Sequence, residues 1–287
     1  MFRLAFANAA ETFERVRDPL AERGVDAVAV SATRGAYDLG DPPFDPDAFD
    51  AGFVFPGRLM EGGVLDAWLA VPWLNDRGAV LASRNKAGTL AALRAAGLPV
   101  PETVLVSNPA PEADLVAAFE RFEAPVVVKP NSTTRGVGVA KAHDLDSFLG
   151  ICDYLDLVHD YRATRDRSFL VQEYLPDARD YRVMVLDGEV VGAVERRLPP
   201  DALAAGQWKH NVHRGATAAG VDPDPAVTDL ARRAADALGI RFLGVDVLVT
   251  GARAVVSETN ARPTVDDDEK YDAGFYDRLA AAVRATA

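Results

Sequence analysis

The stretch Gly244 to Asn260, GVDVLVTGARAVVSETN, decides the fold. Val245 to Val249 and Ala254 to Thr259 are β-branched and apolar enough for strands, and Thr250-Gly251-Ala252-Arg253 supplies a turn between them. The segment therefore reads as a hairpin carrying two acids and an amide where a core strand places aliphatics. Period-2 alternation sets Val256, Glu258 and Asn260 on one face of the second strand. The register stays open at this level. A three-residue loop sets Asp246 opposite Glu258, and a two-residue loop sets it opposite Ser257. The first register gathers two carboxylates and an amide oxygen. That set suits a hard divalent cation, Mg²⁺ in particular, which keeps one or two carboxylates and completes its shell with phosphate oxygens. The plainer reading is a surface hairpin with solvated acids.

Outward from the hairpin, strand-like and helix-like segments alternate along the whole chain, which predicts a mixed α/β protein. Arg3 to Ala7, Asp26 to Val30 and Gly52 to Phe55 read as strands and Glu11 to Arg23 as a helix; helical Leu59 to Leu69 leads into the extended run Val71 to Leu74. Together these make a small βαβ-type unit. A helix is expected over Arg84 to Ala96, stopped by Gly97 and Pro99. Strands follow at Thr103 to Val106, Val126 to Lys129, Gly138 to Lys141 and Phe169 to Glu173, with helices at Glu112 to Phe122 and Leu145 to Val158. A last unit holds strands at Tyr181 to Leu186 and Val190 to Arg196, a helix over Pro225 to Leu238, the acidic hairpin and a helix near Asp277 to Arg284.

Three further segments carry chemistry. In VVVKPNSTTRGVGV, Lys129 ends an apolar strand, and the loop Asn131 to Gly136 can fold backbone N–H groups around phosphate oxygens, with Gly136 and Gly138 allowing close approach. It is neither a Walker A loop nor a dinucleotide fingerprint, and a Gly-rich hairpin without a ligand would look alike. FLVQEYLP is a strand that stops in Gln172-Glu173-Tyr174-Leu175 and bends at Pro176 toward Asp180. Such a linker offers backbone groups to a base edge and a carboxylate to a sugar, or is simply an inter-domain hinge. DYRVMV and VGAVERR place Arg182 and Arg196 on neighbouring strands, where a buried guanidinium needs an anion.

Composition sets the surroundings. The 287 residues include 43 acids against 31 basic residues, a formal charge of -12, which argues against nucleic acid or an anionic membrane as the partner. Only five lysines occur, Lys86, Lys129, Lys141, Lys209 and Lys270. An acid-rich, lysine-poor surface is expected of a halophilic protein made for high intracellular salt. The single cysteine, Cys152, excludes an internal disulfide and fits a cytoplasmic setting. The N-terminal residues do not read as a signal peptide, and no apolar stretch reaches membrane-span length.

Five blocks, in order, resemble one family. LNDRGAVLASRNKAGTLAALRAAGLPVPET, VVVKPNSTTRGVGV, LVQEYLPDARDYRVMVLDGEVVGAVERR, WKHNVHRGA and GVDVLVTGARAVVSETNARP, from about Asn75 to Pro263, are similar to ATP-grasp ligases, most closely the RimK-like carboxylate-amine group. The resemblance implies an ATP-grasp fold of two α+β subdomains clamping ATP. Residues 84–174 are expected to form the central subdomain and residues 175–287 the C-terminal one, after a small N-terminal α/β domain at residues 1–83. It implies ATP and two Mg²⁺ ions as cofactors, with Mn²⁺ as a substitute. Lys86 and Lys129 are expected at the nucleotide phosphates, Glu173 and Tyr174 at adenine, and Asp180 at the ribose. Lys209 and Asn211 are expected among the nucleotide contacts. Arg182 and Arg196, with Lys129, would be catalytic around the γ-phosphate and the acyl intermediate, and Asp246, Glu258 and Asn260 would hold metal.

The activity so implied is formation of an amide or peptide bond through an acyl phosphate. An amino acid such as glutamate would be added to a small molecule, a peptide or a protein terminus, in a chain that can assemble as a homo-oligomer. A dipeptide ligase, a kinase-like phosphotransferase and a non-catalytic ATP-binding regulator are the alternatives. Three departures from the family bear on the substrate. Lys209 stands where arginine is common. Ala261-Arg262-Pro263-Thr264 replaces a small Gly-containing turn, so that Arg262 is expected to read an acidic group. The segment from Asp153 to Arg167 is longer than expected. No general base for the amine stands out in the sequence, and His210 and His213 are the residues that could serve.

Overall fold

The computed structural model describes residues 1–7, 11–133, 136–158, 165–212, 215–251, 253–265 and 270–287, residue 11 by its backbone alone. The chain begins with β1 (Phe2–Phe6), α1 (Glu11–Glu22), β2 (Val25–Ala29) and β3 (Ala51–Phe53), which make a parallel sheet in the order β2-β1-β3. After α2 (Leu59–Leu69), the run expected to extend from Val71 to Leu74 contributes only one bridge, Trp73 beside Gly52. Pro72 has no N–H to continue a ladder there.

The helix expected over Arg84 to Ala96 is α4 (Lys86–Ala95), and a helix not expected from the sequence, α3 (Arg77–Arg84), precedes it. Asn85 breaks them at ψ 86°, and its side chain accepts from Gly88 N at 3.0 Å as an N-cap. Lys86 thereby becomes the first residue of a helix whose start is fixed from outside. Asn131, in the loop after the fifth strand, accepts from Ala87 N at 2.8 Å through its side chain.

The central unit comprises β4 (Thr103–Ser107), α5 (Glu112–Glu120), β5 (Val126–Pro130), β6 (Ala140–Ala142), α6 (Leu145–Val158) and β7 (Ser168–Glu173). Its antiparallel sheet has the order β4-β7-β5-β6. Val126, Val128, Phe169 and Val171 pack on Leu115 of α5 and on Phe148, Cys152 and Leu155 of α6. β6 starts two residues later than expected because Gly138, at φ 75°, still belongs to the turn.

The largest sheet is antiparallel, β10-β9-β8-β11-β12. It is built from β8 (Arg179–Leu186), β9 (Glu189–Arg197), β10 (Thr217–Gly220), β11 (Phe242–Thr250) and β12 (Arg253–Asn260). Also in this part of the chain lie α7 (Pro200–Ala204), α8 (Pro225–Leu238) and α9 (Phe275–Arg284). α7 and the edge strand β10 were not expected, because neither has an apolar period to read. α8 has Asp224 as N-cap, Pro225 in its first turn and Gly239 in the left-handed conformation at its end. One sheet face, with Val183, Val185, Val245 and Val247, packs on Leu230, Ala231 and Ala234 of α8. The other, with Met184, Leu186 and Phe242, meets Phe53 and the α9 residues Phe275 and Leu279.

Alternation along the strands carries that second face from core into cleft. β8 and β11 pair Leu186 with Phe242, Met184 with Gly244, Arg182 with Asp246 and Asp180 with Leu248. Apolar residues at one end of the face thus give way to charged ones at the other.

In the hairpin, Thr250 pairs with Arg253 and Val247 with Val256, so the loop has two residues. Asp246 nevertheless pairs with Glu258, because the ladder shifts between Asp246 and Val247 and leaves Ser257 as the extra residue of a bulge. Ser257 Oγ donates to Asp246 O at 3.2 Å. The partnership that a three-residue loop would have given is reached with a shorter loop and a bulge.

Candidate functional site

Two carboxylates from the hairpin meet a cluster of cations from four other elements. Asp246, buried at 4% exposure, takes a bidentate contact from Arg182 on β8, Nε at 2.7 Å and Nη2 at 2.9 Å. Arg196 on β9 reaches the same carboxylate at 2.9 Å and Asp180 at 2.5 Å. Glu258 Oε1 lies 3.1 Å from Nζ of Lys86 at the start of α4, and Lys86 also donates to Thr133 O in the loop after β5. Lys129, at the end of β5, points Nζ toward Ser257 O at 3.4 Å. Four cations, Lys86, Lys129, Arg182 and Arg196, thus surround three carboxylates, Asp180, Asp246 and Glu258.

Burial sets the protonation of the cluster. It opposes the charge on Asp246, but Arg182 and Arg196 outweigh it and hold the carboxyl down at about 2. Both arginines are raised in turn by that carboxylate, against their own burial. Lys129 is lowered by burial to about 8, with Glu258 pulling it up and Lys86 pushing it further down. A buried ammonium short of negative charge is a receptor for an anion.

The cluster forms one end of a cleft of about 480 Å³, lined also by Glu173, Tyr174, Asp180, Lys209, His210 and Asn211. Of the residues singled out in the sequence, Lys129, Arg196, Asp246 and Glu258 share that lining. Lys86 and Arg182 stand behind it, touching Glu258 and Asp246. Asn260 pairs with Gly244, one step further along the hairpin, and its Oδ1 accepts from Arg262 N at 2.9 Å.

On the linker side the polar side chains are tied to neighbouring protein groups. Glu173 turns its carboxylate to Arg253, at 2.6 and 2.9 Å, and accepts from Glu102 N at 2.7 Å. Burial opposes the charge on Glu173, and these donors lower its pKa. Asp180 holds Arg196, and His210 Nδ1 is 3.6 Å from its second oxygen. Lys209 donates to Val139 O. Asn211 packs on Gly136 so closely that a Cβ there would fall 2.7 Å from Asn211 Oδ1. His213 lies outside the described residues, as do Thr134 and Arg135 of the loop after β5 and residues 159–164 of the long segment.

Trp208 is the residue that sequence reasoning missed. Its ring lies 5.9 Å from that of Tyr174 at 85°, and Lys141 Nζ sits 4.5 Å from the Tyr174 centroid and 5.4 Å from that of Trp208. This edge-to-face pair gives the cleft an aromatic wall suited to a planar base. The available signal was a tryptophan directly before Lys209.

The donor set fits Mg²⁺. Two opposed carboxylates and an amide oxygen lie beside an electropositive cleft, an arrangement that leaves several coordination positions to phosphate and water. Among the described residues no group of three or more His, Cys, Asp or Glu is arranged to hold a metal ion by itself, so the ion's remaining ligands would come from phosphate and water. Also among them, no helix is long and apolar enough to cross a membrane.

Comparison with known proteins places these features in a family. A family model described as the RimK-like ATP-grasp domain matches residues 83–275. The ribosomal protein bS6--L-glutamate ligase of Salmonella paratyphi B is 33% identical over 199 residues, which is 69% of this chain and 62% of that protein. The chain therefore spans less than two thirds of the length of that curated relative. Among solved structures, the RimK domain ATP-grasp protein from Sphaerobacter thermophilus is 23% identical with a TM-score of 0.67, covering 98% of this chain and 99% of that one. D-alanine--D-alanine ligase from Bacillus anthracis is 15% identical with a TM-score of 0.68, covering 100% and 97%.

Proposed function

The chain belongs to the RimK-like ATP-grasp family, and from that premise we propose that it is an ADP-forming carboxylate-amine ligase that makes an amide bond through an acyl phosphate. The observation that carries the reading is the ring of Lys86, Lys129, Arg182 and Arg196 around Asp246 and Glu258 at one end of an aromatic-walled cleft. In this reading residues 84–174 and 175–287 are the two halves that clamp ATP. Tyr174 and Trp208 flank the adenine, and Lys129 and Lys86 take the phosphates.

The substrate carboxylate attacks the γ-phosphorus. Lys86, Lys129 and Arg182 draw the charge of the transferring phosphoryl group onto fixed donors, so that catalysis is largely electrostatic and positional. Asp246, Glu258 and Asn260 would hold two Mg²⁺ ions, or Mn²⁺ in their place, and the chemistry these would supply is neutralisation of phosphate charge. Arg196 then holds the acyl phosphate while the amine displaces phosphate. His210, 3.6 Å from Asp180 in the lining of the cleft, is the candidate to take the amine proton.

The amine is an amino acid such as glutamate. The acceptor is a small molecule, a peptide or a protein terminus, a range supported by the named activity of the Salmonella relative. The setting is cytoplasmic and salt-rich. The test is ADP release in high KCl with Mg²⁺-ATP, single amino acids and pooled carboxylates, with mass spectrometry of each active mixture. ADP release that requires both substrates and yields their condensed mass is expected. ADP release without an amine would make the protein a phosphotransferase, and tight ATP binding with no turnover would make it a regulator.

A further inference from the structure

The loop after β5 touches Lys86 at both of its ends. At the backbone, Lys86 N donates to Asn131 O at 3.3 Å, and the next N–H, that of Ala87, donates to Asn131 Oδ1 at 2.8 Å. At the tip, the ammonium donates to Thr133 O and lies 3.1 Å from Glu258 Oε1. Two residues of one short loop thus hold a buried lysine by its root and by its charge.

The Asn131 amide has a partner for its oxygen and for each of its N–H groups. Nδ2 donates to Asn85 Oδ1 at 3.0 Å and to Ser168 Oγ at 3.1 Å, while Oδ1 takes the Ala87 N–H. The orientation is dictated by chemistry, because Ala87 offers only a donor and the amide oxygen has to face it. The backbone of Asn131 is held as well, its N–H donating to Ser168 O at 3.1 Å. Asn85 Oδ1 in turn caps α4 through Gly88 N, and Ser168 Oγ donates to Asp166 Oδ1 at 2.5 Å. One amide therefore joins the end of β5, the start of β7 and the first turn of α4.

Asn131 does not line the cleft that holds Glu173 and Tyr174. With Asn85 it borders two other cavities, of about 460 and 680 Å³. Any influence on a ligand in the cleft passes through the lysine. A lysine free at its root has many rotamers to lose on meeting a phosphate, and one held at root and tip has lost them already.

We propose that Asn131 is a positioning residue for nucleotide binding that acts through Lys86: it sets where α4 starts, and so where the ammonium stands when a phosphate arrives. The assignment rests on the reading that Lys86 takes a phosphate of ATP, which the same experiment measures on its own.

The experiment is calorimetric titration of ADP with Mg²⁺ on the full chain in four forms: unaltered, Asn131→Ala, Lys86→Met and the two substitutions together. Lys86→Met is expected to weaken ADP binding by about tenfold or more, and Asn131→Ala alone by about fivefold. In the Lys86→Met background Asn131→Ala is expected to cost less than about twofold further, since the group it positions is gone. The proposal is overturned if Asn131→Ala leaves ADP binding unchanged. It is equally overturned if the loss is as large without Lys86 as with it, which is what a merely structural role gives. Should Asn131→Ala not fold, Asn131→Ser takes its place in the cycle under the same two criteria, because one hydroxyl cannot serve all three partners. ADP binding left intact by Lys86→Met would show that Lys86 holds no phosphate, and the proposal falls with that role while the ligase reading stands. An unaltered protein that binds no ADP would remove the ligase reading and the proposal together.

Discussion

Asp246 faces Glu258 across the β11–β12 ladder, yet the two carboxylates are held by different cations, Arg182 and Arg196 for the first and Lys86 for the second. Their substitutions should therefore separate. Asp246→Asn leaves two largely buried guanidiniums short of charge and is expected to destabilise the fold by about 3–5 kcal/mol as well as to abolish ADP release. Glu258 is 39% exposed, so Glu258→Gln should abolish turnover with a stability change within about 1 kcal/mol. Equal loss of stability in both variants, read by denaturant unfolding, would contradict this division.

Lys129 is kept charged against its burial, with its pKa drawn down to about 8. Methionine is of similar length and needs no counter-ion. Lys129→Met is expected to raise stability by roughly 1–2 kcal/mol while weakening ATP binding by about tenfold or more. A lower Tm would show that attraction to Glu258 and Asp246 outweighs desolvation.

Glu195 gives the stability profile an acid limb. Arg179 holds it at 3.0 Å with two nitrogens and Arg197 at 2.5 Å, and these bonds lower its pKa to about 2. The unfolded chain, with an ordinary carboxyl, binds more protons across that interval, so this contribution is complete above about pH 4.5 and is lost as pH falls through about 2. Both arginines are more than half exposed, so screening limits the effect to about 1 kcal/mol. Glu195→Gln should be less stable at pH 7 and approach the unaltered protein toward pH 3. A gap that stays constant with pH would remove this account.

A formal charge of -12 on 287 residues makes compaction work against self-repulsion that salt screens. Thermal unfolding in molar KCl should give a higher Tm than at low salt. Equal values would remove the high-salt adaptation.

The chemistry of the site was legible because it lies in short local windows: a strand ending in Lys129, an acid–acid hairpin, arginines on β8 and β9. What joins those windows was not. Nothing local announces that Ser257 bulges, since a bulge answers to the partner strand. Asn85 stands one residue inside the helix expected from Arg84, and its role as the N-cap shows only once Gly88 and Asn131 are in place around it. The ion pair that ties the Glu173 carboxylate to Arg253, 80 residues away, was likewise not readable from either segment alone. Arg182 was read as needing an anion, and its partner in the structure is Asp246 from the same site.

Gly136 belongs to the loop after β5, whereas Asn211 follows β9, and between them there is no room for a single methyl group. The two segments therefore touch through the Asn211 amide, which fills the space a side chain at position 136 would take. An alanine at 136 would turn the Asn211 amide out of its place and so reshape the wall of the cleft at the point where these two segments touch.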